Sequence, residues 1–155
     1  MSVDRRIEAA EAFWRDPNGR NEQGEVIAGI SARLKFRPKS VVTLPVDRKA
    51  KYLVGLPIVS ELVAARILVA YHIEYQRPMM AAFMDALGIA HEDGLISDEQ
   101  VQPPGEAKLR EAAVALAISF PSDDVALYLS TLTWQDPDAW GALADVPESR
   151  IVAQT

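Results

Sequence analysis

Apolar residues recur every three or four positions along almost the whole chain, and strict alternation of apolar and polar residues is nearly absent, so the pattern predicts helices and little or no sheet. Val3, Ile7, Ala10 and Trp14 form one stripe and predict a first helix over residues 4–14. The turn-forming run Asp16-Pro17-Asn18-Gly19 ends it. Val26, Ile27, Ile30 and Leu34 predict a second helix over 25–35, in which Gly29 costs about 1 kcal/mol relative to Ala. Pro45 suits the first turn of a third helix, with Val46, Ala50 and Leu53 inward and Arg48, Lys49 and Lys51 outward. Ser60 is placed to cap a long helix ending near Gln76. Pro78 begins, or kinks into, the next, which Gly88 stops.

The carboxyl-terminal half continues in the same way. Ser97-Asp98-Glu99-Gln100 has the capping-box pattern and predicts a short helical turn. Leu109, Ala113, Leu116 and Phe120 form the inner stripe of a helix over 106–120. Pro121-Ser122-Asp123-Asp124 stops that helix and caps another that reaches about Thr133, with two acids complementing its dipole. Asp136 and Pro137 supply a cap and a first-turn residue for a short terminal helix carrying Trp140. The chain after Pro147 is expected to fray. Trp14-Arg15-Asp16-Pro17 and Trp134-Gln135-Asp136-Pro137 share a Trp-x-Asp-Pro pattern, each expected to be an aromatic core anchor followed by a turn. The expected fold is one all-α domain of about seven or eight helices. Residues 58–87 would form its central helix pair.

Bulk composition fits this reading. A chain of 155 residues with 49% hydrophobic content can bury roughly two thirds of its unfolded surface in one core. The absence of cysteine excludes disulfides, zinc-thiolate sites, iron–sulfur clusters and thiol nucleophiles. Met1-Ser2-Val3-Asp4-Arg5-Arg6 has no apolar stretch of secretory-signal length, so a cytoplasmic location is expected. The most apolar run, 58–73, contains Glu61, Arg66 and His72 and falls short of the ~18–20 residues of a membrane span. It reads as a core helix.

Charge changes the picture. Seven of the 16 basic residues, Arg33, Lys35, Arg37, Lys39, Arg48, Lys49 and Lys51, fall between positions 33 and 51, where Asp47 is the only acid. That stretch is +6 in a chain of net charge −6. The remainder holds nine basic and 21 acidic residues, a net of −12. Pro38 pushes Arg37 towards extended geometry. In an extended chain, Arg33, Lys35, Arg37 and Lys39 would point one way and Leu34 and Phe36 the other. Such an island either attracts an acidic partner or balances the protein's own acidic helices.

A second candidate lies between His72 and His91, which brackets both histidines and three of the four methionines. Histidine can act as base or metal ligand, and methionine forms an adaptable apolar wall. If the helices flanking Pro78 form a hairpin, the two imidazoles lie about 12 Å apart, too far to share a metal or a proton. His72 has Leu68 and Gln76 four residues away and Val69 and Tyr75 three away, so no metal-binding helical pair exists. The expectation for His72 is a half-buried ring with one hydrogen-bonding neighbour. For His91-Glu92-Asp93-Gly94 it is a solvated loop turning at Asp93-Gly94. Arg66 interrupts an apolar helix with no acid three or four residues away, so it must either snorkel to solvent or meet an acid from another element, Asp85 in the hairpin reading.

No phosphate-binding glycine loop, nucleophile elbow or calcium loop is present. No catalytic residue, metal site or cofactor is assigned. The leading expectation is a non-enzymatic helical protein-interaction or oligomerisation module using the basic island, its partner another protein or a second copy. The alternative is a small-molecule-binding protein or cofactor-free enzyme with a pocket at Arg66, His72, Tyr75, Met79 and Met80. A pI near 4.9 and the lack of a recognition helix argue against nucleic acid, and nothing points to a membrane.

Overall fold

The computed structural model describes residues 2–96 and 104–149. The expected capping box at 97–100 lies outside them, as does the chain beyond 149. The fold is all-α, with nine α-helices and one two-stranded hairpin among the described residues. The chain forms two compact units, one ending at Tyr75 and the other beginning at Gln76.

The first unit holds α1 (Val3–Arg15), α2 (Arg20–Leu34), α3 (Pro38–Val42), α4 (Val46–Val54) and α5 (Glu61–Tyr75). Ser2 caps α1 by accepting the Arg5 N–H, and Ser60 caps α5 by accepting the Val63 N–H, each satisfying a donor that has no intrahelical partner. α1 packs against α4 and α5, and α2 packs against α3 and α5. Phe13, Ile30, Val41, Ala50 and Val63 are at most 1% exposed and form the centre of this core. Burying each of the larger ones stabilises the fold by roughly 1.5–3 kcal/mol.

α2 begins at Arg20, five residues before the hydrophobic pattern shows it, because its first turn is polar. Tertiary contacts hold that turn. Asp16 Oδ1 accepts the Asn18 N–H, and Gln23 Nε2 donates to the carbonyls of both Phe13 and Asp16. At its other end α2 stops at Lys35, whose φ of +57° is left-handed. This overturns the expected extended stretch from Arg33 to Lys39. Arg33 is helical, Lys35 reverses the chain, and Pro38 at the first helical position starts α3. Arg37 keeps the extended geometry that a following proline imposes.

The second unit holds α6 (Arg77–Leu87), β1 (His91–Glu92), β2 (Leu95–Ile96), α7 (Glu106–Ser119), α8 (Ser122–Gln135) and α9 (Pro137–Trp140), then 3-10 turns at Gly141–Asp145 and Pro147–Ser149. α6 packs on α7, and α7 on α8. Met79, Phe83, Leu109, Ala113, Leu129 and Leu143 are at most 1% exposed, and Phe83 meets Tyr128 edge-on. The expected central pair is thus divided: α5 packs on α1 and α2 in its own unit, and α6 packs on α7 in the other.

The expected stop at Gly88 and cap at Asp136 both form. Gly88 closes α6 at φ +69°, with the Ile89 N–H returning to the Met84 carbonyl, and Asp136 caps α9 by accepting the Ala139 N–H. α8, by contrast, starts at Ser122 after Pro121 with no side-chain cap. Asp93-Gly94 turns the chain as a tight hairpin with φ of +52° and +91°, pairing Glu92 with Leu95 and His91 with Ile96. Its strands are too short to register as an alternating pattern. Residues 147–149 do not fray: Ser149 is buried and its carbonyl accepts the Ser130 hydroxyl. Trp14 is a core anchor at 8% exposure, but Trp134 is 58% exposed. The shared pattern therefore preserves the turn without preserving burial.

Two glycines should respond oppositely to alanine. A Cβ at Gly94 would lie 2.6 Å from Met80 Cβ at a positive φ, whereas one at Gly24 inside α2 meets nothing within 4 Å. Gly94→Ala should cost roughly 1–3 kcal/mol in urea unfolding and Gly24→Ala should add about 1 kcal/mol. Equal effects would contradict the hairpin packing.

Burial holds the Tyr128 phenol above its ordinary value. Folding therefore favours the protonated phenol. The stability this confers is complete below a pH of about 10 and declines as pH rises through that ordinary value towards the raised one. Tyr128→Phe should flatten the alkaline fall in unfolding free energy, and an unchanged slope would place the titrating group elsewhere.

Candidate functional site: a basic groove around Tyr52

The site begins with how α4 is held. Ala50 and Leu53 are buried and Val46 is half-buried, as the apolar stripe requires, which turns Arg48 and Lys51 outward. Tyr52 follows Arg48 by four residues and so shares its face. α2 brings its last turn alongside. Ile30, Leu34 and Arg33 from α2, with Lys51, Tyr52, Gly55 and Leu56 from α4 and the residues after it, line a groove of about 190 Å³. A second hollow, of about 220 Å³, is bounded by Arg48, Lys51 and Tyr52. Tyr52 is the shared wall. Phe36, returned by the left-handed turn at Lys35, stands edge-on to Tyr52 with ring centroids 6.0 Å apart.

Three of the seven island residues, Arg33, Arg48 and Lys51, thus face one aromatic. The other four are distributed differently. Lys35, Arg37 and Lys39 are exposed at the α2–α3 corner, outside both hollows. Lys49 is rotated about 100° from Arg48 on the helix, and its ammonium lies over the Trp14 ring, 4.9 Å from the centroid. That half-buried contact corrects the outward placement expected for Lys49.

Among the described residues, none of the seven has a carboxylate oxygen within 4.0 Å. Asp47, one turn before Lys51 on α4, does not reach it. Local neutralisation by contact is absent, and Arg33 and Lys51 offer hydrogen-bond donors to solvent beside apolar walls.

The alternative residues fall in separate surroundings. Arg66 lies 3.9 Å from Asp16 and 3.9 Å from Glu22, and its stem passes over Gly19. Asp85 is not its partner. Asp85 accepts a 2.7 Å hydrogen bond from His91 Nε2, while His91 Nδ1 accepts the Gly94 N–H and so helps close the hairpin turn. His91 is therefore a structural element of that turn and not a solvated loop residue. His72 is 2% exposed, more deeply buried than expected, and its Nδ1 donates to the Leu68 carbonyl at 2.7 Å. Tyr75 is 40% exposed and its hydroxyl accepts from Arg15, whose guanidinium is held above its ordinary range chiefly by its hydrogen bond to Glu74. Met79 and Met80 are buried in the second unit, Met80 against Gly94. None of these five lines either hollow.

Tyr52 and Leu56 escaped the sequence reading, and Ile30 and Leu34 entered it only as inward positions of the second helix. The available signal was the position of Tyr52 one turn after Arg48. No family model, curated protein or solved structure matches the chain. Among the described residues, no helix is long and apolar enough to cross a membrane, and no three His, Asp or Glu side chains cluster to hold a metal.

The Arg66 clamp separates stem packing from charge. At 3.9 Å and one-third exposure its ion pairs are weak, so Arg66→Met should cost under about 1 kcal/mol while Arg66→Ala costs more. Equal losses in chemical denaturation would assign the whole effect to charge.

Proposed function

We propose that the chain is a non-enzymatic helical interaction module that docks an acidic protein surface in the groove around Tyr52. The observation that carries this reading is the convergence of Arg33, from α2, with Arg48 and Lys51, from α4, on one half-buried tyrosine, with no carboxylate within 4.0 Å of any of them among the described residues. Charges held unpaired beside apolar walls raise the local potential and steer anionic partners. Arg33 adds a planar donor fork suited to carboxylates. The lining of the two hollows is cationic, aromatic and aliphatic, which suits an acidic surface.

Titration with poly-glutamate by calorimetry tests the reading. Binding should weaken steadily as salt rises, and Arg33→Glu with Lys51→Glu should weaken it at least tenfold, since both cations stand at the groove rim. Lys39→Glu, outside the groove, should have a smaller effect. Equal losses from the two sets, or tighter binding of a single-stranded oligonucleotide at physiological salt, would defeat a protein-docking role.

A further inference from the structure

We infer that the groove's occupant is a second copy of this chain, which inserts Trp134 between Arg33 and Lys51 and sets Asp136 and Asp138 against those cations. The inference rests on the docking role proposed above and adds the identity of the partner.

Three observations support it. First, charge is divided between the units: residues 1–75 hold 12 basic and nine acidic side chains, a net of +3, and residues 76–155 hold four basic and 13 acidic, a net of −9. Unlike units of two copies can therefore attract locally, against the mutual repulsion of two chains of net charge −6. Second, the second unit displays an exposed aromatic side chain flanked by acids. Trp134 is 58% exposed at the end of α8, with exposed Asp136 and Asp138 directly after it. Neither aspartate is ion-paired among the described residues; Asp136 uses one carboxylate oxygen to cap α9 and keeps the other. Ile118 is more exposed, at 82%, but has no acid within four positions on either side. Third, size and chemistry agree. A groove of about 190 Å³ has room for one ring of the indole, since ~150 Å³ accommodates benzene. Leu34, Leu56 and Tyr52 supply apolar wall, and a guanidinium or ammonium prefers the indole face to any other aromatic face. Tryptophan and arginine are also the side chains that dominate the centres of protein interfaces.

This explains the unequal burial of the two Trp-x-Asp-Pro tryptophans. Trp14 is consumed by its own core, while Trp134 is left for another molecule. The contact joins different surfaces of the two copies, so the pair retains one free groove, on one copy, and one free tryptophan, on the other, unless symmetry closes it.

Light scattering on the full chain tests this by complementation. The wild-type mass should rise above 17.0 kDa with concentration. Trp134→Ala should stay monomeric, and so should Arg33→Glu with Lys51→Glu; all three sites are exposed, which protects folding. Mixing the two variants should restore pairing, because one supplies an intact groove and the other an intact tryptophan. A wild type that remains monomeric overturns the inference, as does a mixture that fails to pair. If such a monomer still binds poly-glutamate, the docking role stands and only the choice of partner fails. If it binds neither, both fail.

Discussion

The first unit depends on the burial of α4 against α1. Ala50 has no exposed surface and Leu53 almost none, so the rotation of α4 about its axis is set by apolar packing. With 3.6 residues per turn, that rotation sends Arg48, Lys51 and Tyr52 to the outer side and Lys49 towards Trp14. The same logic applies to α2, where burial of Ile30 leaves Arg33 and Leu34 at the edge that faces Tyr52. The groove is therefore a by-product of two helix rotations that the core dictates. Its basic character adds nothing to the packing.

That character carries a cost. Arg48 and Lys51 are three residues apart on one helix, and like charges at that spacing destabilise it by a few tenths of a kcal/mol. Lys35 holds a left-handed conformation that glycine or asparagine would adopt more easily, at roughly 1 kcal/mol. Neither cost is offset by an ion pair among the described residues. By contrast, Arg66, which interrupts the apolar α5, is matched by Asp16 and Glu22 beside the α1–α2 turn. Charge inside the fold is balanced, and charge on the groove is not. This contrast separates a structural cation from one available to a partner.

The hairpin at Asp93-Gly94 shows a different economy. Glycine is required there because Met80 leaves no room for a methyl group at a positive φ, and His91 fastens the turn at both ring nitrogens. Two residues of strand on each side suffice because α6 supports them. The histidine that sequence spacing marks as a chemical candidate is thereby committed to holding backbone.

Sequence by itself determined the helical class, the inward stripes of α4 and α7 and, apart from the exposed Val3, that of α1, the stop at Gly88, the cap at Asp136, and the segregation of charge. All of these follow from local periodicity, capping chemistry and composition, which need no knowledge of neighbours. It misplaced the start of α2, because a polar first turn held by Gln23 has no hydrophobic signature. It assigned Arg66 to the wrong acid, because ion pairs between elements depend on how helices cross. Only the tertiary structure decided that Arg33 and Lys51, 18 residues apart in the chain, share a groove while Lys49 does not, and that Trp14 is buried while Trp134 is exposed. The reason is the same in each case: periodicity specifies which side of a helix is apolar, but the angle and register at which two helices meet are set by packing between residues far apart in sequence.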